Sequence, residues 1–315
     1  MIEKTMKQYL AENSRLKYIF FGGKGGVGKT TTSATTALHF AARGKQTLII
    51  SSDLTPSLSD ILETQIGAVE TPIPGVPNLW GLEIDPDEVM RLWKIKFGPA
   101  IYDAAQSLVD MPYDDLVDYV GMAPGIQEEF MLDFILERIK SGRYDMVIWD
   151  TAPAGDTLRL LELPHKFLEH LRVAPKIYLG VRDKLKLNKV PFLDLIASWR
   201  TLSQEVTDFF RDPGGVEFIL VTIPEALGVY QADRVLAELD SLGLQVHHLV
   251  VNHVIADGDC PFHRQRQAMQ RPYLDLLAGR YSERLTITHV PLFADEIKGV
   301  RRLQELESSL FAQQP

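Results

Sequence analysis

Residues Gly23-Lys24-Gly25-Gly26-Val27-Gly28-Lys29-Thr30 fit the pattern G-x-x-x-x-G-K-[ST]. An apolar, β-rich run (Lys17–Phe21) precedes them and a helical pattern (Thr31–Arg43) follows. That strand–loop–helix setting is the one in which the pattern works as a phosphate loop. The glycines let successive backbone N–H groups turn toward a β-phosphate that also meets the positive end of the next helix. Lys29 is placed to reach the β- and γ-phosphates, and the Thr30 hydroxyl to complete the coordination of Mg²⁺. With Thr31 behind them, these residues form the expected cradle for ATP or ADP.

Strand-like runs recur along the chain at Lys17–Phe21, Thr47–Ser51, Leu79–Ile84, Met146–Trp149, Lys176–Leu179, Phe218–Ile223, His248–Val251 and Thr286–Val290. Helical patterns alternate with them, such as Thr30–Arg43 before Gly44 and Gln231–Leu242 before Gly243. Strand, crossover helix and strand in repetition predict an α/β fold, a doubly wound, mostly parallel sheet covered on both faces. Two longer helical stretches, about 85–139 and 163–211, exceed what a crossover needs. They are expected to form an inserted α-helical subdomain of a single P-loop ATPase domain spanning 1–315, packed either as plain covering helices or as a binding surface.

Two carboxylates stand where a nucleotide site needs them. Strand Thr47–Ser51 leads to Asp53, at the carboxyl end beside the phosphate loop, where side chains face the ligand crevice. Asp53 is the candidate for orienting and polarising the attacking water; the other reading is an N-cap for the following turn. Strand Met146–Trp149 runs into Asp150, an apolar strand closed by an acid, so Asp150 is expected to hold Mg²⁺, partly through water. Gly155 and Asp156 follow in a segment able to respond to the γ-phosphate.

Lys24–Thr32, Ser51-Ser52-Asp53 with Leu58-Ser59-Asp60, and Asp150-Thr151-Ala152-Pro153-Ala154-Gly155-Asp156-Thr157-Leu158-Arg159 together resemble the ArsA/Get ATPase family, of the deviant Walker A class. That family includes arsenite-pump ATPases and factors that deliver tail-anchored membrane proteins. The resemblance implies a homodimer in which Lys24 crosses to the partner's phosphates as a catalytic cation beside Lys29 and Asp53. It also implies that Glu225, after Ile223-Pro224, contacts nucleotide, that Asn252 reads the adenine, and that Pro291-Leu292-Phe293 lines the base. Three departures stand out. Asp53-Leu54-Thr55-Pro56 replaces the common D-P-A-H, Asp156 replaces a His, and Cys260-Pro261-Phe262-His263 replaces a zinc-binding C-x-x-C pair. Cys260 and His263 from two subunits would make a tetrahedral zinc site at the dimer seam; the other reading is a loop that has lost its metal.

Composition prunes the partners. The chain has 315 residues, a formal net charge of −9 and no dense Lys/Arg tract, so no nucleic-acid partner is expected. No apolar run reaches the roughly 18 residues of a membrane span. Met1–Leu16 is too polar for a signal peptide, and a cytoplasmic location is expected. A single cysteine, Cys260, is too few for a three-thiolate arsenite site even in a dimer, and for the usual shared iron–sulfur cluster. The tail, Arg301–Gln314, reads as a closing helix rather than a membrane-docking one. The expected function is an Mg²⁺-dependent ATPase whose cycle binds and releases a transmembrane segment of a tail-anchored client. The alternative is a nucleotide switch or the energy-coupling subunit of an arsenite-type anion transporter.

Overall fold

The computed structural model describes residues 6, 10, 13–53, 57–105, 110–122, 126–151, 161–162, 166, 191–256 and 258–311. Eight strands among them form one sheet in the order β3-β4-β2-β5-β1-β6-β7-β8. They are β1 (Tyr18–Gly23), β2 (Thr47–Ser51), β3 (Thr71–Pro72), β4 (Leu79–Glu83), β5 (Met146–Asp150), β6 (Val216–Thr222), β7 (Val246–Val254) and β8 (Thr286–Pro291). All neighbours pair parallel except β3 with β4. Strand β4 falls on the expected run Leu79–Ile84, whereas its antiparallel edge partner β3 has no counterpart in the sequence pattern, because two residues ending in proline carry no period. The expected strand Lys176–Leu179 lies outside the described residues.

The central strands explain why the sequence reads as unbroken apolar runs. Every residue of β2, β5 and β6 is buried, so both faces of the sheet demand hydrophobic side chains. Helix α1 (Lys29–Ala41) packs against β1, β2 and β5. It is buried nearly all round despite its content of Thr and Ser. Those hydroxyls are satisfied within the helix: Thr32 donates to Gly28 O at 2.7 Å, Ser33 to Thr30 O at 3.0 Å, Thr35 to Thr31 O at 2.8 Å and Thr36 to Thr32 O at 2.8 Å. Burying a hydroxyl costs little once it is paired in this way.

Two short helices and two long ones complete the sheet-bearing unit: α2 (Ser57–Leu62), and, later in the chain, α7 (Ala226–Ser241), α8 (Pro261–Tyr281) and α9 (Gly299–Leu310). The closing helix α9 buries Leu303, Leu306 and Leu310. It is locked to α1 by His39, whose ring stacks on Phe311 at 3.7 Å and whose Nδ1 lies 2.7 Å from Glu307 Oε1. Leu303, Leu306, Leu310 and Phe311 thus face the core, as expected for a closing helix.

The chain divides into two compact units, one comprising Met1–Ile84, Gly142–Leu158 and Arg211–Pro315, the other Asp85–Ser141 and Arg159–Phe210. The second unit is helical in its described residues: α3 (Pro86–Ala105), α4 (Tyr113–Gly121), α5 (Ile126–Lys140) and α6 (Pro191–Phe210). Helix α3 lies against the other three. Trp93 is buried beside Gly121, where a Cβ would come within 2.9 Å of the indole, so only glycine admits this approach. Lys96 joins α3 to α5 through Asp133 at 2.5 Å and Glu137 at 2.7 Å. Among the described residues no helix is long and apolar enough to cross a membrane.

Candidate nucleotide site

Parallel strands leave their carboxyl ends on one edge of the sheet, and the order of strands decides which loops meet there. Here β1 lies between β5 and β6, with Phe21 opposite Asp150 and Gly23 opposite Val221. Ser51 lies opposite Asp150 across β2 and β5. The phosphate loop, Asp53 and Asp150 therefore emerge side by side, though the sequence separates them by scores of residues.

The loop begins at Gly23, with φ 147° and no room for a side chain: a Cβ would sit 2.3 Å from Val221 O. It ends at Gly28, the N-cap of α1, with φ 93°. Lys29 lies beneath the loop, 7% exposed, its Nζ donating to Lys24 O at 3.2 Å. Burial pushes its ammonium below the usual lysine range, and the charges of Asp150 and Asp53 oppose that shift. Lys24 is half-buried, as are Thr30 and Thr31; Gly25 and Gly26 are exposed.

Asp150 is 1% exposed. Burial raises its carboxyl to about 6, against the Thr30 and Ser33 hydroxyls and the Lys29 charge, while Asp53 pushes it further up. Neither carboxylate oxygen completes a hydrogen bond of good geometry. A buried acid with two unsatisfied oxygens, beside a buried lysine and a threonine hydroxyl, is a donor set for a hard divalent cation. Asp150 and Thr30 thus fit Mg²⁺, and Lys29 with the loop N–H groups fits the phosphates. Asp53 is half-buried, its N–H 3.3 Å from Ser51 Oγ.

The remaining candidates flank this centre. Asn252, 8% exposed, donates from Nδ2 to Val27 O at 3.0 Å and accepts the His253 N–H at 2.9 Å. It lies against the phosphate loop. Glu225 stands in the N-cap position of α7 and pairs with Arg266 of α8 at 2.6 Å. Pro291 ends β8, Leu292 donates its N–H to Val254 O and is 47% exposed, and Phe293 packs on the core. Cys260 and His263 come together with Asp259: one ligand atom from each lies within 4.8 Å of the others. Residues 54–56 and 152–160, including Gly155 and Asp156, lie outside the described residues.

Several participants carry no sequence signal of their own. Arg266 and Gln270 belong to a helix whose pattern looks merely polar, and Asp259 precedes the Cys–His pair by one residue. Glu83 is the exception. It ends β4 as Asp150 ends β5, and the rule that singles out Asp53 applies to it equally. Its Oε1 accepts the N–H groups of Leu58 and Ser59 at 2.9 Å each, and Oε2 accepts the Ser59 hydroxyl at 2.7 Å.

Comparison with known proteins agrees with this geometry. Residues 16–312 match the family model for the ArsA ATPases, described as anion-transporting ATPase. The chain is 33% identical to an ATPase ASNA1 homolog of Paramecium tetraurelia, the match covering 96% of this chain and 94% of that protein. It is 32% identical to ATPase GET3 of Podospora anserina, over 98% and 94% of the two chains. It is likewise 32% identical to the ATPase ASNA1 homolog of Dictyostelium discoideum, over 96% and 91%. With a phosphate-loop α/β fold and matches of this extent, the chain belongs to the ArsA-type, anion-transporting ATPase family and is an ATPase.

Proposed function

We propose that this ATPase works as a homodimer whose nucleotide cycle takes up and releases a transmembrane segment of a tail-anchored membrane protein. The observation that carries this reading is the near full-length similarity to ATPase GET3 and the ASNA1 homologs. Apolar side chains exposed on the helical unit support it: Ile95 is 63% exposed, Tyr119 69% and Met122 75%. Exposed aliphatic and aromatic groups of this size favour a hydrophobic ligand, and Met adapts to varied clients. In this reading the chain is one ATPase domain carrying a helical subdomain of about 85–139 and 163–211, acting in the cytoplasm without nucleic acid.

Each candidate residue then has a task. The loop N–H groups and Lys29 bind and orient the β- and γ-phosphates, and Lys24 adds its charge to the partner's nucleotide. Asp53 orients the attacking water and accepts its proton. Asp150 and Thr30 hold Mg²⁺, which neutralises charge on the phosphate oxygens. Asn252 and Pro291–Phe293 border the base, and Glu225 is released from Arg266 to meet nucleotide. Asp259, Cys260 and His263 supply a carboxylate, a thiolate and an imidazole, the three donor types Zn²⁺ accepts, for a site at a subunit seam.

Co-expression with a tail-anchored protein tests the reading. Nucleotide-dependent recovery of the client as a complex, strengthened by Asp53→Asn, is expected. Failure to recover it while ATP turnover and dimerisation persist would sink the client reading. The family description also favours an anion-pump subunit. Stimulation of turnover by arsenite or antimonite would support that alternative, against the single cysteine.

A further inference from the structure

Strand β7 does not run straight into its loop. Its register with β8 shifts between Val251 and Val254, which leaves Asn252 and His253 out of the ladder. His253 takes φ 59°, a left-handed conformation that a non-glycine residue adopts only when its surroundings impose it. This kink carries the Asn252 side chain to the phosphate loop, where Nδ2 reaches Val27 O at 3.0 Å. The fit is close: a Cβ on Gly28 would lie 2.3 Å from that same Nδ2.

The force that holds the kink comes from α8. Gln270 is 2% exposed and brackets the turn with both ends of its amide. Its Nε2 donates to His253 O at 2.8 Å, and its Oε1 accepts the Ile255 N–H at 2.9 Å. Gln267, on the same side of the helix, donates to Ala256 O at 2.9 Å. The two groups that Gln270 satisfies flank Val254, so they stay apart at the right spacing only while the turn keeps its shape.

We propose that Gln270 is a positioning residue for nucleotide binding, acting through the His253 turn and Asn252 to keep the Val27–Gly28 segment of the phosphate loop in its binding geometry. The inference rests on the reading of Gly23–Thr30 as the nucleotide cradle. Gln270 touches no nucleotide itself. Loss of its two hydrogen bonds frees a backbone that strain already drives toward relaxation, and Asn252 leaves Val27 with it. Both effects then appear in affinity for the nucleotide, not only in stability of the fold.

A double-mutant cycle on the full chain tests this, with Mg²⁺–ADP titrated calorimetrically into wild type, Gln270→Met, Asn252→Ala and the double variant. Gln270→Met removes both hydrogen bonds at nearly constant volume. It is expected to weaken ADP binding about tenfold, the loss that accompanies one hydrogen bond's worth of binding energy. The double variant is expected to bind no more weakly than Asn252→Ala alone, because both changes cut one path. Gln270→Glu, which keeps the acceptor for Ile255 N–H, replaces Gln270→Met if that variant does not fold, and is expected to weaken binding less. Unchanged ADP affinity with a lowered Tm would overturn the proposal and leave Gln270 a plain structural pin, as would independent, multiplying losses in the double variant. Wild type that fails to bind ADP would overturn the nucleotide reading itself, and this inference with it.

Discussion

The Trp149 indole N–H donates to the Ser52 hydroxyl at 2.9 Å, tying the strand that ends in Asp150 to the one that leads to Asp53. The Ser52 N–H adds a bond to Asp150 O at 3.2 Å. The two acids of the site are thus held by their neighbours in the chain, while the Asp150 carboxylate is left without a good hydrogen bond. Pre-organisation of this kind has a cost in the ligand-free protein.

Asp150→Asn is expected to stabilise the ligand-free chain at pH 8 while reducing Mg²⁺-dependent turnover at least about a hundredfold. Burial lifts the Asp150 carboxyl to about 6. In the native state it therefore binds a proton at pH values where the unfolded chain has lost it, and stability from this group falls as pH rises from the ordinary carboxylate range through 6. At pH 8 the penalty is on the order of 3 kcal/mol. Denaturant unfolding of wild type and variant at pH 8 and pH 5 checks the sign: the gap should be wide at pH 8 and shrink to about half at pH 5, halfway between the two carboxyl values.

Glu217 is shifted the opposite way. It is fully buried at the start of β6, within 2.9 Å of His247 Nδ1 and 3.3 Å of His248 Nδ1. Burial works to raise its carboxyl, but the bonds to both histidines hold it below the usual range, and the same contact raises His247. The carboxylate's stabilisation is lost as pH falls through its lowered value; that of His247 is present below about 6.5 and lost as pH rises through its raised one. Glu217→Gln is expected to cost about 3 kcal/mol near pH 6. Urea unfolding should show that difference shrinking by pH 9.

Two glycines of the phosphate loop are expected to respond differently to alanine. At Gly23 the added Cβ meets a neighbouring strand's carbonyl at 2.3 Å, and at Gly26 it meets nothing within 4 Å. Gly26→Ala carries only the cost of φ 78°, about 1 kcal/mol. Gly23→Ala must displace β1 from β6 and is expected to cost at least about 2 kcal/mol. Thermal unfolding of both variants ranks them; equal losses would contradict the close approach at Val221.

Glu83→Ala is expected to slow turnover while leaving ADP affinity within about twofold. The side chain accepts three hydrogen bonds from the first turn of α2, and Glu83 lies opposite Ser51 in the ladder, two residues before Asp53. Unpairing the two N–H groups costs about 2 kcal/mol of stability. Glu83→Gln keeps an acceptor and should restore part of the rate. Steady-state kinetics with parallel ADP titrations separates this loss of positioning from a loss of binding.

Much of this molecule is written locally. The phosphate loop is a contiguous run whose glycines, lysine and threonine act within one turn of chain, so its residues name themselves. Strands β2, β5 and β6 are equally plain, because burial on both faces forces an unbroken apolar run. Strand β3 leaves no such trace, since its two residues gain their place only from pairing with β4.

The sequence by itself determined the alternation of the longer strands and helices, the phosphate loop, and the acids that follow β2 and close β5, because each depends on neighbours within a few residues. Only the tertiary structure decided that Asn252 supports Val27, that Gln270 holds the His253 turn, and that Glu83 anchors α2. Those contacts join residues brought together by strand order and helix packing, and a hydrogen bond between distant residues leaves no period or spacing in the chain. The elevated carboxyl of Asp150 belongs with them: an aspartate's acidity follows from the water and partners its fold takes away, and the folded surroundings alone set both.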